Sequence, residues 1–247
     1  MLRTETFEVG KLVCRTVDSM EEGTQPEVAV VLCHGFGAPG TDLVPLATEV
    51  LSAIPEIKHK VQFFFPEAPM SLQPYGYGNG RAWWMIDMFA LQNAMERGDF
   101  RDLESSEPEG LPEARSVLLE SLEEIRKMTG LGWNKIVLGG FSQGSMLTTD
   151  ITLRLPENPA GLVIYSGTLL NREEWTKLAP NRAGLNVVQS HGRQDPILPF
   201  TGAEALRDVL TEAGLDVDFL PFPGVHTITS EGLYKLVEMV RGLIRGT

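Results

Sequence analysis

Lys135-Ile136-Val137-Leu138-Gly139-Gly140-Phe141-Ser142-Gln143-Gly144-Ser145-Met146-Leu147 is the stretch whose reading decides the fold. Its first five residues predict a short buried strand, and the residues after Ser142 predict a helix. Between them stands Gly140-x-Ser142-x-Gly144, which in a strand–turn–helix context is a nucleophile elbow. So sharp a turn holds its central serine in a strained backbone conformation. Side chains two residues before and two after would collide across it, so glycine suits both places. The turn would raise the Ser142 hydroxyl above the sheet and aim the helix N-terminus, with the Gln143 N–H, at an oxyanion forming there. A G-x-S-x-G match alone is weak, since a serine turn with crowding-relief glycines reads the same way. What surrounds it has to carry the argument.

Outward from the elbow, short apolar runs alternate with longer amphipathic stretches. This is the pattern of strand–helix units around a mostly parallel sheet with helices on both faces. Val28–Cys33 is apolar throughout, as expected of a strand covered on both sides. Val61–Phe65, Lys135–Gly139, Gly161–Tyr165, Asn186–Ser190 and Val217–Leu220 read likewise. Thr6–Val17 adds an antiparallel edge strand. Helical spacing marks Pro112–Met128, closed by Gly130; Phe200–Ala213, closed by Gly214; and a tail running from Leu233 to Ile244. Two stretches break the rhythm. Met70–Arg81, with Pro74, Gly76, Gly78 and Gly80, reads as a long loop, and Glu96–Glu113 reads as an acidic, solvated excursion. Residues 70–113 are therefore either a lid-type insertion or a plain surface excursion on one domain spanning 1–247.

A triad needs a base and an acid, in the chain order serine, acid, histidine for this arrangement of strands. Of the four histidines only His191 and His226 follow Ser142. His226 comes just after the strand Val217–Leu220, so it takes the base role; His191 ends a strand ahead of any later acid and reads as structural. Asp195, in the loop after strand Asn186–Ser190 that Pro196 and Pro199 hold, His191-Gly-Arg-Gln-Asp195-Pro-Ile-Leu-Pro, is the acid. Asp216 and Asp218 are its rivals. After the first buried strand, His34-Gly35-Phe36-Gly37 offers the Phe36 N–H as a partner for the Gln143 N–H in an oxyanion hole. Trp83, Trp84 and Met85 follow the glycine-rich loop. These apolar residues are candidates for a substrate groove, a homodimer contact or plain core. The histidines and cysteines are scattered and offer no metal-ligand spacing.

The chain has 247 residues, 43% of them hydrophobic and 22% charged, which suits an ordinary globular domain needing no staples. With 21 basic against 33 acidic residues its net charge is −12, a poor match for nucleic acid or anionic lipid. Two cysteines do not make a disulfide framework; they read as reduced, with a Cys14–Cys33 bridge left open. No apolar run reaches membrane-span length, and the N-terminus lacks a secretory pattern, so a cytoplasmic location without integral membrane association is the expectation.

Taken together, the sequence resembles the carboxylesterase, phospholipase and acyl-protein thioesterase group of small α/β-hydrolases. The matching stretches are Leu32–Gly37 with Asp42, Phe65-Pro-Glu-Ala-Pro69, Trp84 and Asp87, Gly139–Met146, His191-Gly-x-x-Asp195-Pro-x-x-Pro, and His226. The resemblance implies the α/β-hydrolase fold and cofactor-free hydrolysis of a small acyl ester or thioester. It also implies Ser142, Asp195 and His226 as triad, with Phe36 and Gln143 as oxyanion donors. Glu67 departs from the pattern, standing where eukaryotic thioesterases usually carry histidine, and so does 70–113. Hydrolysis of a peptide or lactone bond, or binding without turnover, are the competing readings.

Overall fold

The buried strands pair side by side in the computed structural model, which describes residues 2–97 and 104–245. Ten strands occur among these residues: β1 (Arg3–Val9), β2 (Leu12–Asp18), β3 (Val28–Cys33), β4 (Val61–Pro66), β5 (Met70–Ser71), β6 (Arg81–Ala82), β7 (Ile136–Phe141), β8 (Gly161–Tyr165), β9 (Asn186–Gly192) and β10 (Asp216–Phe222). Eight form one sheet in the order β1-β2-β4-β3-β7-β8-β9-β10. From β4 to β10 the neighbours run parallel; β2 lies antiparallel to both β1 and β4. The helices are α1 (Val44–Ala53), α2 (Met88–Arg97), α3 (Leu111–Thr129), α4 (Gln143–Arg154), α5 (Arg172–Leu178), α6 (Phe200–Glu212) and α7 (Ser230–Arg245). Among the described residues no helix is long and apolar enough to cross a membrane.

Alternation along each central strand splits the core in two, because successive side chains leave opposite faces of a sheet. In β3, Val28, Val30 and Leu32 face one side with Leu51 of α1 and Leu236 of α7. Ala29, Val31 and Cys33 face the other with Leu118 of α3, Leu147 of α4, Trp175 of α5 and Leu206 of α6. This is why β3 shows no polar face in the sequence. Helix α4, straight after the elbow, is buried from Gln143 to Leu153, so polar residues inside it must find partners. Asp150 does so by joining three helices. Its carboxylate accepts from Arg115 of α3, from Arg154 Nε at 3.3 Å and from Trp175 Nε1 of α5 at 2.9 Å.

The opening segment departs from expectation. It is two strands, not one, because Gly10-Lys11 turns the chain back on itself, with Gly10 at φ 59°. The long loop after Met70 carries a small antiparallel ladder, Met70↔Ala82 and Ser71↔Arg81, that a run of turn residues conceals. Part of the acidic excursion, 98–103, lies outside the described residues. Both cysteines are free and buried.

Removing the Asp150 carboxylate would leave the Trp175 indole N–H unpaired and leave Arg115 and Arg154 with only their outer partners, Glu107 and Glu174. Asp150→Ala is expected to cost about 3 kcal/mol, the lower end for a broken buried pair because both arginines reach solvent. Urea unfolding should show a lower midpoint at an unchanged slope; a midpoint within error of the parent would refute the bridging role.

Candidate active site

The elbow is built as the sequence requires, and the structure adds the reason. Ser142 stands between β7 and α4 at φ 52°, ψ −120°, a region that residues with side chains rarely adopt. A Cβ on Gly140 would sit 2.5 Å from the Cys33 carbonyl oxygen and 2.7 Å from the Gly144 carbonyl carbon. One on Gly144 would strike the same Cys33 carbonyl and come within 2.6 Å of His34 O. The two glycines therefore avoid one another less than they avoid the end of β3, against which the whole turn is pressed.

That strand end continues into the turn His34–Gly37. His34 is buried, and its ring fixes the turn at two points: Nδ1 is 2.9 Å from Gly35 O, and Nε2 accepts the Ala68 N–H at 3.1 Å. An acceptor at Nε2 places the proton on Nδ1, so this histidine is neutral. Burial pushes its pKa down, against the opposing effect of the Gly35 carbonyl and of nearby Asp42 and Glu67. Gly35 lies against Ser142, since a Cβ on it would stand 3.3 Å from the serine Cβ. On the other side of the serine, the Gln143 N–H opens α4, where no intrahelical acceptor exists.

Asp195 and His226 arrive from neighbouring loops that are laced together. The β9–β10 pairing runs past the strand ends through Arg193 N–H to Phe222 O (2.9 Å) and Gln194 N–H to Gly224 O (3.0 Å). The His226 Nδ1 then lies 2.6 Å from Asp195 Oδ2. The other carboxylate oxygen accepts N–H groups from Ile197 (2.9 Å) and Leu198 (3.0 Å). Burial alone would raise the Asp195 carboxyl; the hydrogen bond and charge of His226, with the two N–H groups, outweigh it and hold the carboxyl below its usual value. His191 is wholly buried, with Nε2 at 3.0 Å from Leu198 O and 3.3 Å from Asp195 Oδ2. The sequence reading took it as structural and had no signal for its contact with the acid. Of the rival acids, Asp216 starts β10 at the far end of the sheet, and Asp218 is paired with Lys235 at 3.1 Å.

Ser142 and His226 line one small cavity of about 130 Å³ together with Gly35, Phe36, Met146 and Leu198. Its outer wall comes from Ile86, Met88 and Leu91 around the start of α2. Trp83, Trp84 and Met85 do not line it. The two tryptophans are buried in the core, and with Met85 they border a separate groove of about 640 Å³ against α3. Among the described residues, no group of three or more His, Cys, Asp or Glu is placed to hold a metal ion. Glu67, at the departure from pattern, is held between Arg15 (2.8 Å) and Arg81 (3.2 Å) and does not border the cavity.

Residues 16–244 match the family described as phospholipase/carboxylesterase. The chain belongs to that family. Within it, the acyl-protein thioesterase 1 of Kluyveromyces lactis is 32% identical over 223 residues, covering 87% of this chain and 92% of the yeast protein. Among solved structures, that of esterase PE8 superposes with a TM-score of 0.72 at 26% identity, over 98% of this chain and 99% of the other. A carboxylesterase from Mesorhizobium loti shares the fold with a TM-score of 0.72 at 18% identity, over 97% and 99% of the two chains. The family fold is the α/β-hydrolase architecture described above.

Two neutral buried histidines, His34 and His191, have pKa values pushed down first by burial. A depressed histidine stabilises the folded state above its unfolded pKa, about 6.5, and that stability is lost as pH falls below it. The melting temperature should therefore drop between pH 7.5 and 5.5. His34→Gln, which keeps an acceptor facing Ala68 and cannot titrate, should show a smaller drop. An equal drop in both proteins would remove His34 from the account.

Proposed function

We propose that the cavity is the active site of a carboxylic ester and thioester hydrolase, with Ser142 as nucleophile, His226 as base and Asp195 as acid. The observation that carries this reading is the 2.6 Å contact between His226 and Asp195 on the cavity that Ser142 lines. With Nδ1–H donated to Asp195, the His226 Nε2 lone pair is left to accept the serine proton. The depressed Asp195 carboxyl keeps its negative charge and so stabilises the imidazolium that forms.

The steps follow from those positions. His226 takes the Ser142 proton as Oγ bonds to the acyl carbon, and the carbonyl electrons move to oxygen. The Phe36 and Gln143 N–H groups hold that oxyanion; one such donor is typically worth ~10²–10³ in kcat. His226 then protonates the departing alcohol or thiol as its bond to the acyl carbon breaks. Water, giving its proton to His226, attacks the acyl-enzyme; the acid leaves, and the proton returns to Ser142. The esterase and thioesterase names of the relatives support the same bond class over a peptide or lactone bond.

The small cavity favours a short acyl group. An apolar cavity of about 150 Å³ takes up one benzene molecule. The 130 Å³ beside Ser142 thus suits a chain of about six carbons or fewer, with Ile86, Met88 and Leu91 lining its wall.

Hydrolysis of p-nitrophenyl esters from acetate to decanoate tests both points. Turnover should be highest at or below hexanoate, and Ser142→Ala should lower kcat by ~10⁴-fold or more with the fold intact. Near-normal activity in the variant would remove Ser142 as nucleophile. Met88→Ala should shift the optimum toward longer chains, and an unmoved optimum would take Met88 out of the acyl wall.

A further inference from the structure

The two N–H groups flanking Ser142 come from different parts of the chain, one from the turn after β3 and one from the start of α4. The β3–β7 ladder aligns those parts only as far as Cys33↔Gly140, three residues short of Phe36 and three short of Gln143. Beyond the ladder, something else has to set the gap.

The stretch Arg81–Trp84 runs between the two arms and bonds to both. Toward the turn, the Gly37 N–H donates to Arg81 O (2.9 Å), the Arg81 N–H donates to Ala38 O (3.0 Å), and the Trp83 indole N–H donates to His34 O (2.9 Å). Toward the elbow, the Trp83 N–H donates to Gln143 Oε1 (2.9 Å), and Gln143 Nε2 donates to Trp84 O (2.8 Å). Trp83, Trp84 and the Gln143 side chain are all buried. Gly80 lets the strip come this close, since a Cβ there would strike the Gly37 carbonyl. A core-filling tryptophan needs some acceptor for its N–H, and a buried glutamine needs partners for both its polar atoms. Here every one of those bonds is spent on joining the same two arms.

We propose that Arg81–Trp84 is a strut that sets the separation of the Phe36 and Gln143 N–H groups, with Trp83 and the Gln143 side chain as positioning residues. This rests on the oxyanion reading above. It also gives Trp83 a role other than touching substrate. Misplacing a reacting group by 1 Å costs roughly 10²-fold in rate, and losing an oxyanion donor about 10²–10³-fold, so a loosened strut should cost about 10- to 100-fold.

Two variants test it. Trp83→Phe removes the indole N–H and keeps most of the ring bulk; Gln143→Met removes both side-chain bonds and keeps the backbone N–H. Each is assayed for kcat and KM on p-nitrophenyl butyrate, for inhibition by butylboronic acid, whose serine adduct is tetrahedral and anionic, and for its pH–rate profile. The expected result is a 10- to 100-fold fall in kcat with KM little changed, a matching rise in the boronate inhibition constant, and an unshifted profile. Because all three bonds act through one strut, the double variant should lose less than the product of the two. Values of kcat within twofold of the parent in both variants would overturn the strut, as would a loss accompanied by a shifted pH profile. If Gln143→Met does not unfold cooperatively, Trp83→Phe decides alone. Retained turnover in Ser142→Ala would instead overturn the nucleophile reading, a separate failure.

Discussion

The rest of the site depends on the close contact between the elbow and the end of β3. The Cys33 carbonyl occupies the space that side chains at 140 and 144 would need, so the turn can press against it only if both are glycine. That contact puts Ser142 beside Gly35 and aligns the start of α4 with the turn His34–Gly37. The strain at Ser142, φ 52°, is held by its surroundings: its N–H donates to Tyr165 O at 2.8 Å, and its carbonyl accepts from Ser145. A strained residue persists only where neighbours over-determine it. Here β3, β8 and α4 all do.

The remaining parts of the site follow from where the sheet changes direction. After β4 the chain crosses β3 to enter at β7, and strands are then added outward to β10. Loops at the carboxyl ends of parallel strands open at such a switch point, which is where ligands are generally held in open α/β sheets. Each loop contributes one element: β3 the His34 turn, β7 the serine, β9 the acid and β10 the histidine. The three side chains span 84 positions of the chain, yet they converge because the strands beneath them are in register.

Much of this was legible from the residues. Strands covered on both faces announce themselves as unbroken apolar runs, and β3 and β8 match their expected limits to the residue. The places of Ser142, Asp195 and His226 just after strands were legible because such places are one-dimensional facts; their catalytic roles rest on the proposal above. The parts that were not legible depend on contacts between distant segments. Nothing about Trp83 or Gln143 in isolation says that one donates to the other, and the apolar run after Gly80 reads equally well as groove or core. It divides: Trp83 and Trp84 turn inward, while Ile86 and Met88 reach the cavity. The hairpin at Gly10-Lys11 was missed because imperfect alternation on both sides blurs into one strand. The His191 contact with Asp195 was missed because a side-chain distance of 3.3 Å leaves no trace in spacing.

The two borders of the large sheet invite a different question, that of what keeps one molecule from extending another. β1 is an outer strand whose first six residues are largely exposed, and unpaired strand borders are templates for unwanted pairing between chains. Arg3, Glu5 and Glu8 punctuate it with charge, and on the opposite border β10 begins with Asp216, carries Asp218 and ends at Pro221-Phe222, where proline offers no amide hydrogen. A chain of like net charge −12 approaching either border would have to surrender the hydration of those acids or go without a bond. Both borders of the sheet are in this way blunted against pairing with another chain by a few charged residues and one proline.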